Sequence, residues 1–115
     1  MQLINLSTGQ IIAEQVRTAD RFFARLRGLM FTSELGSGCA LHLKPCRSIH
    51  TFFMNYPIDV LYVNEHGIVI GLEENLPPGK VGKYYPDANS VIELPAGRIN
   101  ETATKIGHQM VFTKK

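Results

Sequence analysis

Apolar residues along this chain fall in short runs or alternate with polar ones, and in only a few places do they recur at helical spacing. The runs Leu3, Ile4, Leu6 and Ile11, Ile12, Val16 flank the turn cluster Ser7, Thr8, Gly9, which predicts two opening strands. From Thr18 the period lengthens. Ala19, Phe22, Phe23 and Leu26 stand at i, i+3, i+4 and i+7, with Thr18 placed to cap the start and Gly28 to stop the end. A short amphipathic helix is expected there, its other face carrying Arg17, Arg21 and Arg25. Beyond Ser37 the pattern predicts a β meander over 39–43, 48–54, 58–64 and 68–73, with Asn64, Glu65, His66 and Gly67 as a hairpin turn. Residues 76–89 hold three prolines and two glycines and follow neither period, as a long functional loop would. Val91, Ile92 and Leu94 predict a further strand, Ile99, Ala103 and Ile106 a short helix, and residues 110–112 a closing strand. Many short strands on short connections predict a mostly β fold: a compact antiparallel β-barrel or sandwich-like domain with one or two short helices.

Composition narrows the classes of function. A chain of 115 residues with 44% apolar composition suffices for one core and not for two, so residues 1–115 are expected to form a single domain. With 19% charged residues and a net charge of +2, neither a disordered chain nor a polyanion binder is indicated. The arginine face of the helix reads as solvated, and no nucleic-acid partner is expected. No basic segment precedes an apolar run at the N-terminus, and no run approaches the length of a membrane-spanning helix. The expectation is a small soluble cytoplasmic protein without a membrane partner, its Cys39 and Cys46 reduced. Gly79, Gly82 and Lys83 lack the spacing and the following helix of a phosphate loop.

Candidate chemistry concentrates between Pro45 and Tyr62, where a thiol, an imidazole, a thioether and a carboxylate share an aromatic-rich run. If residues 39–54 form a hairpin turning at Cys46, His42 lies opposite His50 with β-carbons about 5 Å apart. The pair could then share a transition metal, with Cys46 or Met54 as a soft third ligand. In a regular strand, however, Cys46 and His50 are about 13 Å apart, so joint ligation requires Cys46 to fold back or residues 46–54 to turn helically. An enzyme reading takes Cys46 as the attacking thiolate, His50 or His42 as its base, and Asp59 or Glu93 to orient the imidazole. Asp59 also interrupts the apolar run Ile58, Val60, Leu61, so a partner is expected, with Arg27, Arg47 and Arg98 as candidates.

The motifs RGLMF at 27–31, SIHTFFMNYPIDVLYV at 48–63, Gly67, and VIELPAG at 91–97 occur in an order and spacing that resemble domain of unknown function family 192. The resemblance spans residue 10 to the end and implies a small, β-rich domain of bacteria and archaea with no established activity. The positions it maps here are Gly28, Leu29, Met30, Met54, Asp59, Gly67, Glu93, Leu94 and Gly97. Many relatives place Asp after the late glycine, where this chain has His108 after Gly107. The resulting expectation is binding of a small molecule or protein partner in a cleft around residues 46–59. Cys46, His50, Met54, Asp59 and Arg27 would form it, Phe52, Phe53, Tyr84 and Tyr85 would supply apolar surface, and residues 76–89 would cover it. A cysteine/histidine enzyme and a transition-metal protein remain the alternatives, and the residues specify no cofactor.

Overall fold

The run Ile58–Val63 forms a strand buried at every position, and the rest of the chain is arranged around it. The computed structural model describes residues 1–114. In chain order the elements are β1 (Gln2–Asn5), β2 (Gln10–Ala13), β3 (Gln15–Ala19), α1 (Phe22–Arg27), β4 (Cys39–Leu43), β5 (Ile58–Val63), β6 (Val69–Leu76), β7 (Ser90–Pro95), α2 (Arg98–Glu101) and β8 (Met110–Thr113). Five strands form one sheet in the order β3-β4-β7-β5-β6, and three form a second in the order β2-β1-β8. Alternation along β5 and β7 sends side chains to both faces of the larger sheet. Ile58, Val60, Tyr62 and Val91 join one core with Leu41, Leu43, Ile49 and Met54. Leu61, Val63, Ile92 and Leu94 join another with Leu3, Ile12 and Met110 from the smaller sheet. The architecture is therefore mostly β and sandwich-like, and the two sheets do not close into a barrel. No helix among the described residues is long and apolar enough to cross a membrane.

The NEHG turn forms as expected between β5 and β6. Asn64 Oδ1 accepts from the amides of His66 and Ile68, and Gly67 adopts a φ of 80° that favours glycine. Three expectations need correction. First, β3 and β4 pair in parallel, because α1 and the loop after it carry the chain back to the same end of the sheet. Second, α1 begins only at Phe22, since Thr18 and Ala19 are used by β3, and no residue of the helix is buried. Its apolar positions Phe22, Phe23 and Leu26 face solvent, Phe23 at 78% exposure.

Third, residues 48–54 are not a strand beside β4. Both hydrogen-bonding edges of β4 are already taken, by β3 and by β7, so no edge is left for a hairpin partner. Residues 47–51 are instead laced to residues 79–85. Thr51 N donates to Lys80 O, Gly79 N to Thr51 O, Gly82 N to Ile49 O and Tyr85 N to Arg47 O. The long loop is thus a strap held along its length. Its Tyr85 packs on Tyr62 with ring centroids 4.3 Å apart, over Gly71, where any β-carbon would collide with the Tyr85 ring.

Asp59 is fully buried, and its partners are backbone amides rather than an arginine. Oδ1 accepts from Asn75 N at 2.8 Å and Oδ2 from Ile99 N at 2.9 Å. The first amide is freed where the β5–β6 register slips between Ile58 and Val60, and the second is one of the unpaired donors opening α2. Arg98 turns instead to the carbonyls of Ile11 and Ile12. Replacing Asp59 with Asn leaves one of these buried amides facing an NH₂ group. The expected loss is about 2–4 kcal/mol in urea unfolding at neutral pH; a loss under half of that range would mean the two bonds do not hold the fold.

Candidate functional site

Glu93 sits on β7 between Leu41 of β4 and Val60 of β5, on the face that carries the first core. The residue is 2% exposed and its Oε1 makes no hydrogen bond. Burial alone pushes its carboxyl up to about 8, because the charged form has lost water and gained no compensating partner. Most such carboxyls at neutral pH are protonated.

Glu93 lines a cavity of about 220 Å³. One wall is α1 with its stop, contributing Phe22, Arg25, Leu26 and Gly28, and the other is the irregular run of Cys46, Ser48, Ile49 and His50. Gly28 ends the helix at φ 49°, and a β-carbon there would stand 3.8 Å from Glu93 Oε1. His50 ties the walls together. Its Nδ1 accepts from Phe52 N at 3.1 Å, so its proton is on Nε2, which donates to Leu26 O at 2.9 Å. Phe52 stacks on the imidazole with centroids 5.3 Å apart. Phe22 and Leu26 of the cavity wall are exposed, as is Phe52 beside His50; Phe23, also exposed, lines the neighbouring groove, and exposed Phe53 stacks on Phe31. Both Phe31 and Phe53 hold φ above 60°, an uncommon backbone for a bulky residue.

The Cys46 thiol donates to Ser48 O at 2.9 Å. Burial raises its pKa, outweighing the lowering effect of the Ser48 hydrogen bond; Glu93 adds to the rise and Arg25 opposes it. The sulfur is therefore a thiol, and both nitrogens of His50 are engaged elsewhere. The thiolate–imidazole couple of the enzyme reading is not assembled in this arrangement.

The structure brings Cys46 and His50 to one cavity and disperses the other expected residues. Met54 is packed in the first core. Asp59 faces the second core and is saturated by amides. Arg27 is exposed on a neighbouring groove with Arg17 and Thr32. His42 alternates with Leu41 and Leu43, so it points to the opposite face, where it stacks on Phe112 at 4.4 Å between centroids. The shared metal site of His42, His50 and Cys46 thus loses its geometry with the hairpin that was to build it. No group of three or more His, Cys, Asp or Glu among the described residues is placed to hold a metal ion. His108 is also remote from the site, its Nδ1 bound by Asn5 and by Lys105 N. The 76–89 strap supplies no residue to the cavity wall.

Sequence reasoning named Glu93 only as a helper and did not place Arg25, Phe22 or Leu26 at a site. The signal for Glu93 was present, since it breaks the run Val91, Ile92, Leu94 as Asp59 breaks its own. For the helix residues no signal distinguished a face that packs from a face left open.

The pattern that defines one family of proteins, described as an uncharacterized ACR, matches residues 3–112. The chain belongs to domain of unknown function family 192. A UPF0127 protein of Thermococcus sibiricus is 32% identical over 115 residues, which covers 94% of this chain and 72% of that protein. A UPF0127 protein of Pyrococcus furiosus is 28% identical, over 97% of this chain and 98% of its own. Two crystal structures share the fold. A protein of unknown function from Novosphingobium aromaticivorans has a TM-score of 0.83 at 18% identity, covering 96% of this chain and 82% of that one. A Sinorhizobium meliloti protein described as a candidate transcription regulator has a TM-score of 0.81 at 19% identity, covering 96% and 89%. The family 192 assignment thus comes with a fold and without an activity.

Two measurements check the electrostatics of the site. In a Cys39→Ser background, iodoacetamide alkylates Cys46 more slowly than free cysteine at pH 7.5; a faster reaction would restore the nucleophile reading. Stability also responds to pH in two windows. Glu93 is raised from 4.5 to about 8 in the fold, so the folded state holds the extra proton between those values. Stability is full below about 4.5 and falls as pH rises toward 8, at up to about 1.4 kcal/mol per pH unit. His42 is lowered from 6.5 to about 4, by burial first and then by Lys44, so its contribution is present above 6.5 and lost on acidification toward 4. The two contributions oppose each other between about 4.5 and 6.5, so urea unfolding is nearly flat there and falls from 6.5 to 8. Glu93→Gln flattens the upper limb and exposes the His42 slope below 6.5.

Proposed function

We propose that this chain is a binding protein whose cleft, between α1 and residues 46–50, seats a small apolar group carrying a hydrogen-bond donor. The observation that carries the reading is Glu93, a buried carboxyl whose Oε1 has no hydrogen-bond partner, on a residue that lines a cavity. Buried polar atoms are nearly always satisfied, and an exception beside open space is best explained by a partner that is not part of the chain. The rest of the cavity suits such an occupant. Phe22, Leu26, Leu43 and Ile49 give it apolar walls, and Arg25, Ser48 and Glu93 give it a few converging polar groups. At about 220 Å³ it is smaller than the roughly 300–1,000 Å³ of drug-sized sites, so the seated part is compact. Exposed Phe22 and Leu26 on its wall, with Phe52 stacked on His50, extend beyond that volume and give the remainder of a ligand, or a protein partner, an apolar landing area.

The test is a titration of ¹⁵N-labelled protein with a panel of fragments of about ten heavy atoms or fewer. Fragments with a donor on a ring or short chain shift the amides of residues 26–28 and 46–52, and Glu93→Leu weakens them about tenfold, the worth of one buried hydrogen bond. Fragments that gather elsewhere, or that ignore the Glu93→Leu change, would overturn the reading.

A further inference from the structure

Resting on the binding cleft above, we infer that its ligand is a primary ammonium on an apolar stem, with the ammonium seated on Glu93. The geometry favours this chemistry over the other donors. A hydroxyl would satisfy Oε1 but leave an ionisable group in an apolar face with no use for its charge. A guanidinium brings five N–H donors, more than Glu93 and Ser48 can satisfy in an otherwise largely apolar lining. An ammonium is a compact point cation with three donors, few enough for the Glu93 carboxyl and its neighbours in a cavity of about 220 Å³ to satisfy. The walls suit its stem: Leu26, Leu43 and Ile49 line the cavity, and Phe22 offers an aromatic ring beside it. No cation of the chain already serves the acid, since burial is the whole cause of its shift and Arg25, half-exposed, donates to Asp20 O.

Binding then converts a buried neutral acid into a buried ion pair. The acid proton leaves to solvent as the ammonium arrives, so affinity is coupled to pH. The groups facing Glu93 are Arg25 from α1, Cys46 and His50 from the opposite wall, and Tyr56 from the loop before β5. Cys46 and Tyr56 are both shifted upward, away from neutral pH.

The experiment titrates the 115-residue chain with benzylamine and with benzyl alcohol, reading the amides of residues 26–28 and 46–52, at pH 6, 7 and 8. Benzylamine binds at least tenfold more tightly than benzyl alcohol at pH 8, and its affinity climbs by up to tenfold per pH unit from 6. In Glu93→Gln the amine loses its advantage and its pH slope together. Equal binding of amine and alcohol in the native protein overturns the ammonium inference and leaves the apolar cleft standing. A slope that persists in Glu93→Gln also overturns the inference, because another group then carries the proton. If neither probe moves the cleft amides, the binding reading itself fails. Comparison of butylamine with Nα-acetyl-lysine methylamide then separates the two sources of such a group: tighter binding of the second assigns the ammonium to a lysine side chain, and tighter binding of the first to a free amine.

Discussion

A sheet buried on both faces gives the polar side chains of its central strands no water, and each must find a partner or remain neutral. The five-stranded sheet of this protein sets that condition for Asp59 on β5 and Glu93 on β7, which face opposite cores. Asp59 meets it with two backbone amides, brought by the slipped register of β6 and by the first turn of α2. Those bonds fasten an edge strand and a helix to the centre of the sheet, so the carboxylate organises the fold. Glu93 lies in the same environment with no such amides, and it stays protonated beside a cavity. The contrast between two acids one strand apart separates a structural group from a functional candidate more clearly than residue type could.

The strands were largely legible because their signals were local. The runs that became β5 and β7, the turn at 64–67 and the closing strand depend on alternation and turn chemistry, which a sequence displays directly. Residues 48–54 misled for a tertiary reason. Their alternation resembles a strand, but a strand needs a free edge, and whether β4 has one depends on where β3 and β7 pair. With that hairpin went the juxtaposition of His42 and His50. The helical period around Phe22 was also read correctly, while the destination of its apolar face was not. A hydrophobic stripe states a preference for burial and does not say what will bury it.

The candidate site inherits its form from these same facts. Because α1 packs no side chain fully, Phe22 and Leu26 are available to the cavity. Cys46, Ser48, Ile49 and His50, outside the sheet, line the cavity opposite α1 and beside Glu93. His50 closes the arrangement by bonding across to Leu26 O, so the two walls hold a fixed separation. The positive φ values at Phe31 and Phe53 further hold two aromatic rings against each other at the surface.

The lacing between residues 47–51 and 79–85 makes the cleft's irregular wall and the distant surface loop one mechanical piece. That wall has no helix or strand of its own to keep its shape; its backbone bonds end on the strap. A single peptide-bond cut near Lys80 or Lys83 would therefore loosen the cleft from behind, without touching any residue that lines it.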